Sequence, residues 1–262
     1  VRGYLESGAK EIMLLGQNVN SYGHDLVEQG FIPATDSGAF VDLLALIADQ
    51  PDLQRLRFTT SNPHDFTKPL AQLFADQPKL GRYMHLPVQS GNDEILERMR
   101  RKVTVAEFHE RVQWLREAVP DIALSTDIIV GFPGETEEQF EGTVELVKKG
   151  GFSFIFSFKY SPRKGTAAAR FREQVPEEVA TQRLQKLNAV QNDITTQQQL
   201  AEIGMTREVL VQYESAKEPG VFYGRTEHFR LVRIPSGRPL VGEMVAVSII
   251  DANKTALVGQ LI

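Results

Sequence analysis

The sequence predicts an α/β fold in two parts: a partial parallel strand–helix barrel, then a small all-β barrel. Three observations carry this. Five apolar runs each end in a short Gly, Pro or polar motif, as parallel strands buried on both faces do before turning into helices. Helical periodicity with start signals fills the intervals between them. Beyond Gly204 the apolar residues instead alternate with polar ones at period two.

In chain order, strands are expected over 11–15, 56–60, 83–87, 124–130 and 154–160. Residues 40–49 repeat apolar side chains at helical spacing. Thr104 with Glu107, and Thr136 with Gln139, form capping boxes that open two further helices. Gly150-Gly151 stops the second of them. Residues 19–39 read as a long Gly/Pro-containing loop able to serve as a lid. The first residue is Val1, and residues 2–8 read as a helix with no strand before it. The expectation is therefore of residues missing upstream, and of a six-stranded partial barrel whose first strand is absent. Pro176 opens a long helix that ends near Gly204. The expected division is a barrel over 1–175, a connecting helix over 176–204 and a β-barrel over 205–262.

The net charge of -5 does not mark the whole chain as a nucleic-acid binder. Cysteine is absent, which excludes disulfides, thiolate zinc sites and any self-ligated iron–sulfur cluster. No metal site is expected from these residues. No apolar run is long enough for a bilayer and no signal peptide opens the chain, so the expected location is cytoplasmic.

The strand-end motifs fall where α/β barrels place their chemistry, at the C-terminal ends of the strands. Gly16-Gln17-Asn18 offers two amides suited to the ammonium and carboxylate of an amino acid, and reads equally as a polar turn. Thr60-Ser61-Asn62-Pro63 and Ser161-Pro162-Arg163 occupy corresponding places. Gln89-Ser90-Gly91 follows a strand carrying His85. It suits ribose hydroxyls, or the N-terminal cap of the next helix. His85 itself reads as a core histidine. The glycines of Gly131-Phe132-Pro133-Gly134-Glu135 allow close backbone approach to a flat ligand, with Phe132 stacking on a base; the same residues also make a tight turn. Asp127 lies in an otherwise apolar strand, so it is either paired or faces the barrel mouth.

Lys159, Arg163, Lys164, Arg170 and Arg172 form a run without an acid, a candidate for phosphate contact or a solvated face. Arg98, Arg100, Arg101 and Lys102 form a second patch. From residue 200 onward seven Lys/Arg stand against seven Asp/Glu, so charge there does not argue for RNA. Phe222, Tyr223 and Phe229 beside Arg225 and Arg230 form a candidate stacking surface. There is no Gly-x-Ser-x-Gly elbow, no phosphate-loop Gly-Lys-Thr and no His pair at metal spacing. A barrel lyase using Asp127 and Glu135 would lack a Lys or His base at a strand tip.

Taken together, Leu15-Gly16-Gln17-Asn18-Val19-Asn20-Ser21-Tyr22-Gly23, Arg57-Phe58-Thr59-Thr60-Ser61-Asn62-Pro63 and His85-Leu86-Pro87-Val88-Gln89-Ser90-Gly91 resemble the radical SAM methylthiotransferases. Asp127 to Thr136 and Tyr160-Ser161-Pro162-Arg163 follow in the same order. Gly224-Arg225-Thr226 and the final barrel resemble the family's C-terminal TRAM (OB-like) domain. The resemblance spans essentially the whole chain. It favours the tRNA-directed members over those acting on a ribosomal protein. It implies radical S-adenosylmethionine-dependent methylthiolation of an N(6)-isopentenyladenosine beside the tRNA anticodon. It also implies two 4Fe-4S clusters and a reductant such as flavodoxin. The family's cluster cysteines all lie upstream of the position of Val1, so the chain is similar to the C-terminal portion of such an enzyme and is expected to be inactive alone. Carried over by motif, Gly16, Gln17 and Asn18 would meet the methionyl end of S-adenosylmethionine, Gln89 and Ser90 its ribose, and Gly131 and Phe132 its adenine. Asp127 and Arg163 would line the site or meet substrate. Lys159, Lys164, Arg170, Arg172, Phe222, Tyr223, Arg225 and Arg230 would contact the anticodon stem–loop. Lys164 and Ala167 stand where the family often has proline, which implies a less rigid loop around Arg163. A cluster-free RNA-binding protein that keeps the shell without the chemistry is the competing reading, and upstream gene sequence separates the two.

Overall fold

The computed structural model describes residues 1–59 and 61–262; Thr60, the end of the second expected strand, lies outside the described residues. Five parallel strands make the first part: β1 Glu11–Leu14, β2 Arg55–Phe58, β3 Tyr83–His85, β4 Ala123–Val130 and β5 Phe154–Lys159. Among the described residues they form not one continuous array but two sheets, β1–β2 and β3–β4–β5, joined by one bridge between Leu56 and Leu80. The Arg57 guanidinium lies against Gly81, where a Cβ would stand 2.6 Å from it, so a side chain there would make the guanidinium shift. β3 is shorter than expected because Val88 donates its N–H to Thr126 Oγ1 rather than to backbone.

Alternation sorts the two faces of the strands. Leu56, Phe58, Met84, Leu86, Leu124, Ile128 and Val130 join the main core with residues of the surrounding helices. Those helices are α1 Arg2–Glu6, α3 Ala39–Ala48, α4 Lys68–Asp76, α6 Val105–Ala118, α7 Glu137–Gly150 and α8 Glu177–Leu200, while α2 His24–Glu28 and α5 Asp93–Arg98 contribute nothing to that core cluster. Both capping boxes form, at Thr104 with Glu107 and at Thr136 with Gln139. Gly151 closes α7 in the left-handed region, at φ 52. The stretch over 19–39 is not one long lid. It folds into a 3-10 turn, Val19–Ser21, and α2, and Asn20 is tied in both directions to the Asn62 backbone at 2.8 and 2.7 Å.

The second part is a closed five-stranded barrel in the order β10-β8-β7-β6-β9. Its strands are β6 Thr206–Glu214, β7 Val221–Thr226, β8 Leu231–Pro235, β9 Met244–Ala252 and β10 Leu257–Leu261. Val209, Val211, Phe222, Val232, Ile234, Val247 and Leu257 fill it. Phe222 is thus a core residue, 3% exposed, and the stacking role expected for it falls. Its neighbour Tyr223 points to the opposite face and lies parallel to Tyr213, with ring centroids 5.4 Å apart.

The turn between β7 and β8 enters the lower, N-terminal end of the parallel strands. Arg57 donates to the carbonyls of Thr226 and Glu227 at 2.6 and 3.0 Å. Arg55 donates to the Arg225 carbonyl at 3.1 Å. The Phe229 ring stacks on Tyr83 with centroids 4.7 Å apart, and the Arg225 and Arg57 guanidinia lie 4.2 and 5.1 Å from its centroid. His228 Nε2 sits 3.1 Å from the Asp121 carboxylate. The second barrel therefore closes the bottom of the first.

Candidate active site

The upper end stays open. A cleft of 880 Å³ lies at the tips of β3, β4 and β5. That is within the range of small-molecule sites. Gln89, Ile129, Phe132, Phe158 and Tyr160 wall it, with Arg98, Arg100, Arg101, Lys159, Arg163 and Arg170 around them and no carboxylate in its lining. The Tyr160 hydroxyl is buried without a hydrogen-bond partner among the described residues.

Below the mouth, Asp127 on β4 keeps 28% of its side chain exposed. His85 Nε2 stands 3.4 Å from it and Gln89 Nε2 3.5 Å. His85 Nδ1 shares Ser125 Oγ at 2.8 Å, and Ser125 Oγ meets the Tyr83 hydroxyl at 2.7 Å. Burial pushes the Tyr83 phenol up to about 12, against the Ser125 hydrogen bond that lowers it. Gln89 takes a positive φ of 81, rare for a residue with a side chain. Two backbone bonds hold it there, from its N–H to the Asp127 carbonyl and from the Ile129 N–H to its own carbonyl, both 2.9 Å. Asp127 and the Gln89 amide thus form a fixed polar pair beneath a cationic rim, able to accept from and donate to a bound nucleoside.

Of the residues expected at the site, Gln89, Phe132, Lys159, Arg163 and Arg170 come together in this cleft. Gly16 and Gln17 are exposed at the tip of β1, outside it. Asn18 lines a smaller adjoining hollow with Asn62, His64, Asp65 and Lys102, so this hollow, unlike the cleft, holds a carboxylate; Arg100 and Arg101 line both spaces. Ser90 does not face a ligand. Its side chain is fully buried, with Oγ 3.4 Å from Thr143 Oγ1 and accepting from the Asn92 N–H at 3.3 Å. Gly131, at φ 71, makes its close approach to α8 rather than to open space, since a Cβ there would meet Ala180 at 2.7 Å. Phe132 is 5% exposed, held edge-on by Tyr160 and Phe171, so it walls the cleft without a free face for stacking.

The basic run divides. Lys159 is bonded to Glu177 and to Thr181 of α8, an acid the local run did not reveal. Arg163, Lys164, Arg170 and Arg172 are exposed and form no ion pair among the described residues. Arg225 and Arg230 face inward. Arg225 donates to the Phe229 carbonyl at 2.8 Å, and Arg230 Nε is 3.1 Å from the Glu202 carboxylate. Burial pushes the Glu135 carboxyl up, against the Gly131 N–H and the Arg183 guanidinium 2.9 Å away. That fixed pair is structural and removes Glu135 as a lyase base. Arg101 went unassigned in the sequence although its patch was visible, because only the fold brings α5's exit over the cleft.

Among the described residues no group of three His, Cys, Asp or Glu side chains could hold a metal ion. With no thiolate and no such group, the residues present do not suit an iron–sulfur cluster. No helix among the described residues is long and apolar enough to cross a membrane.

Residues 1–147 match the radical SAM superfamily and residues 200–262 the TRAM domain. A tRNA-2-methylthio-N(6)-dimethylallyladenosine synthase of Syntrophobacter fumaroxidans is 44% identical over 97% of this chain and 54% of its own length. The like-named enzyme of Stutzerimonas stutzeri is 44% identical over 98% and 56%, and that of Halalkalibacterium halodurans 42% identical over 100% and 47%. The chain spans about half the length of the curated relatives it matches. With its parallel strands, its open upper cleft and its closed C-terminal barrel, the chain belongs to the radical SAM superfamily and carries a TRAM domain.

Proposed function

We propose that this chain supplies the nucleoside cleft and the RNA-facing surface of a tRNA methylthiotransferase. On this reading the enzyme works in the cytoplasm by radical S-adenosylmethionine chemistry on an N(6)-dimethylallyl adenosine of the anticodon loop, with electrons from a flavodoxin-class reductant. The observation that carries it is the cleft itself: six cations and no carboxylate line it in a chain of net charge -5. A phosphate-bearing ligand explains that segregation. When bound, S-adenosylmethionine and its cluster supply the radical step; these 262 residues contain no cysteine, so no thiolate ligand comes from them. Ile129 and Phe132 would bury the adenosine, and Tyr160 and Gln89 would orient its polar atoms. Asn18 and Arg100, in the adjoining hollow, would hold the carboxylate of its methionyl end. Asp127, kept in place by His85 and Gln89, would accept a hydrogen bond from the target nucleotide. Arg163, Lys164, Arg170 and Arg172 would meet backbone phosphates.

The test is titration of an anticodon stem–loop at rising salt. Replacing those four cations with Ala should weaken binding to every tRNA sequence alike and flatten the log–log salt slope by roughly 0.7 to 0.9 per lost phosphate contact. Unchanged affinity and slope would make the run a solvated face and end this reading.

A further inference from the structure

β5 pairs with β4 alone among the described residues, and it links two cavities. Phe158 and Tyr160 wall the cleft above. Phe154 and Phe156 wall a groove of 330 Å³ below, against the second barrel. The three phenylalanines are two residues apart, so they share one face at intervals of about 6.6 Å. Phe156 is 49% exposed and Phe158 54%. Core packing does not account for two half-exposed rings in register on one strand of a parallel sheet, whose faces are ordinarily covered. The rings continue downward without a gap. Phe156 meets His85 and Phe154 edge-on at 5.7 and 5.5 Å, and Phe154 lies parallel to Tyr83 at 5.7 Å. Tyr83 in turn stacks on Phe229.

Charge says what lies against these rings. No carboxylate lines either cavity; of the groove's three cations Arg230 is paired with Glu202 and Arg225 lies on the Phe229 ring, which leaves Lys254 exposed at its edge. We propose that this face is a stacking track for single-stranded RNA, with unpaired loop bases lying on Phe156 and Phe158. The phosphates would lead toward Arg163 and Arg170 at one end and Lys254 at the other. Exposed aromatics on a sheet face, flanked by cations, are how other sheet-based modules hold unpaired bases. The proposal rests on the RNA-substrate reading above and adds the place where bases flanking the target go. A second copy of the chain suits the face less well, because the cations of two copies would oppose each other.

The experiment uses the whole chain with two probes: an anticodon stem–loop carrying 2-aminopurine in the loop, and a blunt duplex of the same stem. Phe156→Ala and Phe158→Ala should each weaken stem–loop binding roughly 5-fold to 100-fold per lost stack. Duplex binding and the salt slope should stay as they are. Because the Phe156 ring packs on His85 and Phe154, Phe156→Leu, which keeps apolar packing and removes the stacking face, should weaken stem–loop binding with the thermal midpoint held. The 2-aminopurine emission, quenched by the unaltered chain, should recover in the variants. Equal loss for stem–loop and duplex, or no loss, overturns the track. So does a change confined to self-association in sedimentation. If the unaltered chain binds the stem–loop and the variants match it, the track alone fails. If the unaltered chain binds no stem–loop at all, the substrate reading fails with it.

Discussion

The two ends of the parallel barrel use arginine in opposite ways. At the lower end Arg55 and Arg57 are each 3% exposed, and Glu11 lies 3.4 and 2.9 Å from them. Their remaining donors reach carbonyls of the second barrel. At the upper end Arg100, Arg101, Arg163 and Arg170 are exposed around a space that no carboxylate lines. The lower arginines hold two domains together; the upper four form no ion pair among the described residues. A residue count cannot separate these uses. The position of the partnering carboxylate does.

Arg57→Ala should produce the largest effect, because it leaves Glu11 buried without its nearest cation and strips two carbonyls of donors. Breaking such a buried pair costs about 3–5 kcal/mol, to be seen as a lowered denaturant midpoint. The four-Ala change at the rim should move stability by less than about 0.5 kcal/mol. Similar losses at both ends would erase the contrast.

Acid should act next, at the seam between the two barrels. Burial raises the carboxyls of Asp121 and Glu227, and it is outweighed only collectively: by His228 with Arg82 at Asp121, and by His228, a backbone N–H and Arg207 at Glu227. Both rest below their ordinary values of 3.8 and 4.5. A depressed carboxyl contributes stability that is present above its unfolded value and lost as pH falls through the folded one. The seam should therefore weaken below about pH 4. Asp121→Asn should be less stable than the unaltered chain near neutrality, and the gap should close in acid. A gap that persists to about pH 3 contradicts this.

The smallest effect is expected at the top. Tyr160→Phe removes a hydroxyl that has no partner among the described residues, so stability should hold or rise by up to about 1 kcal/mol. Binding of an adenine nucleoside should fall by roughly 2-fold to 10-fold. A loss of stability would mean that the hydroxyl serves the fold.

Much of this arrangement was legible in the sequence. The capping boxes at Thr104 and Thr136 mark where helices begin, because their hydrogen bonds are local. The strand tips predict the open cleft because apolar runs fix strand direction. Period two also carried information that local motif reading passed over. Phe222 and Tyr223 are adjacent on a strand, so both cannot face solvent, and Arg55-Leu56-Arg57 puts two guanidinia on one face. What no local pattern holds is pairing across the fold. Glu177 claims Lys159, Thr143 takes the Ser90 hydroxyl, and Ala180 fills the space before Gly131, each from a helix far along the chain.

The 24 residues of α8 measure about 36 Å at 1.5 Å per residue. Glu177 and Thr181 anchor its first turns to Lys159 at the cleft. Gln199 at its far end donates to the Lys254 carbonyl in the second barrel at 3.1 Å. A rod pinned at both ends fixes the separation of the cleft and the second barrel, so an RNA that reached both, as the proposals above would have it, would gain from effective concentration without any new contact. A free nucleotide is too short to use that gain, and a folded stem with its loop is long enough. Affinity for RNA should therefore depend on the length and stiffness of the probe as much as on its sequence.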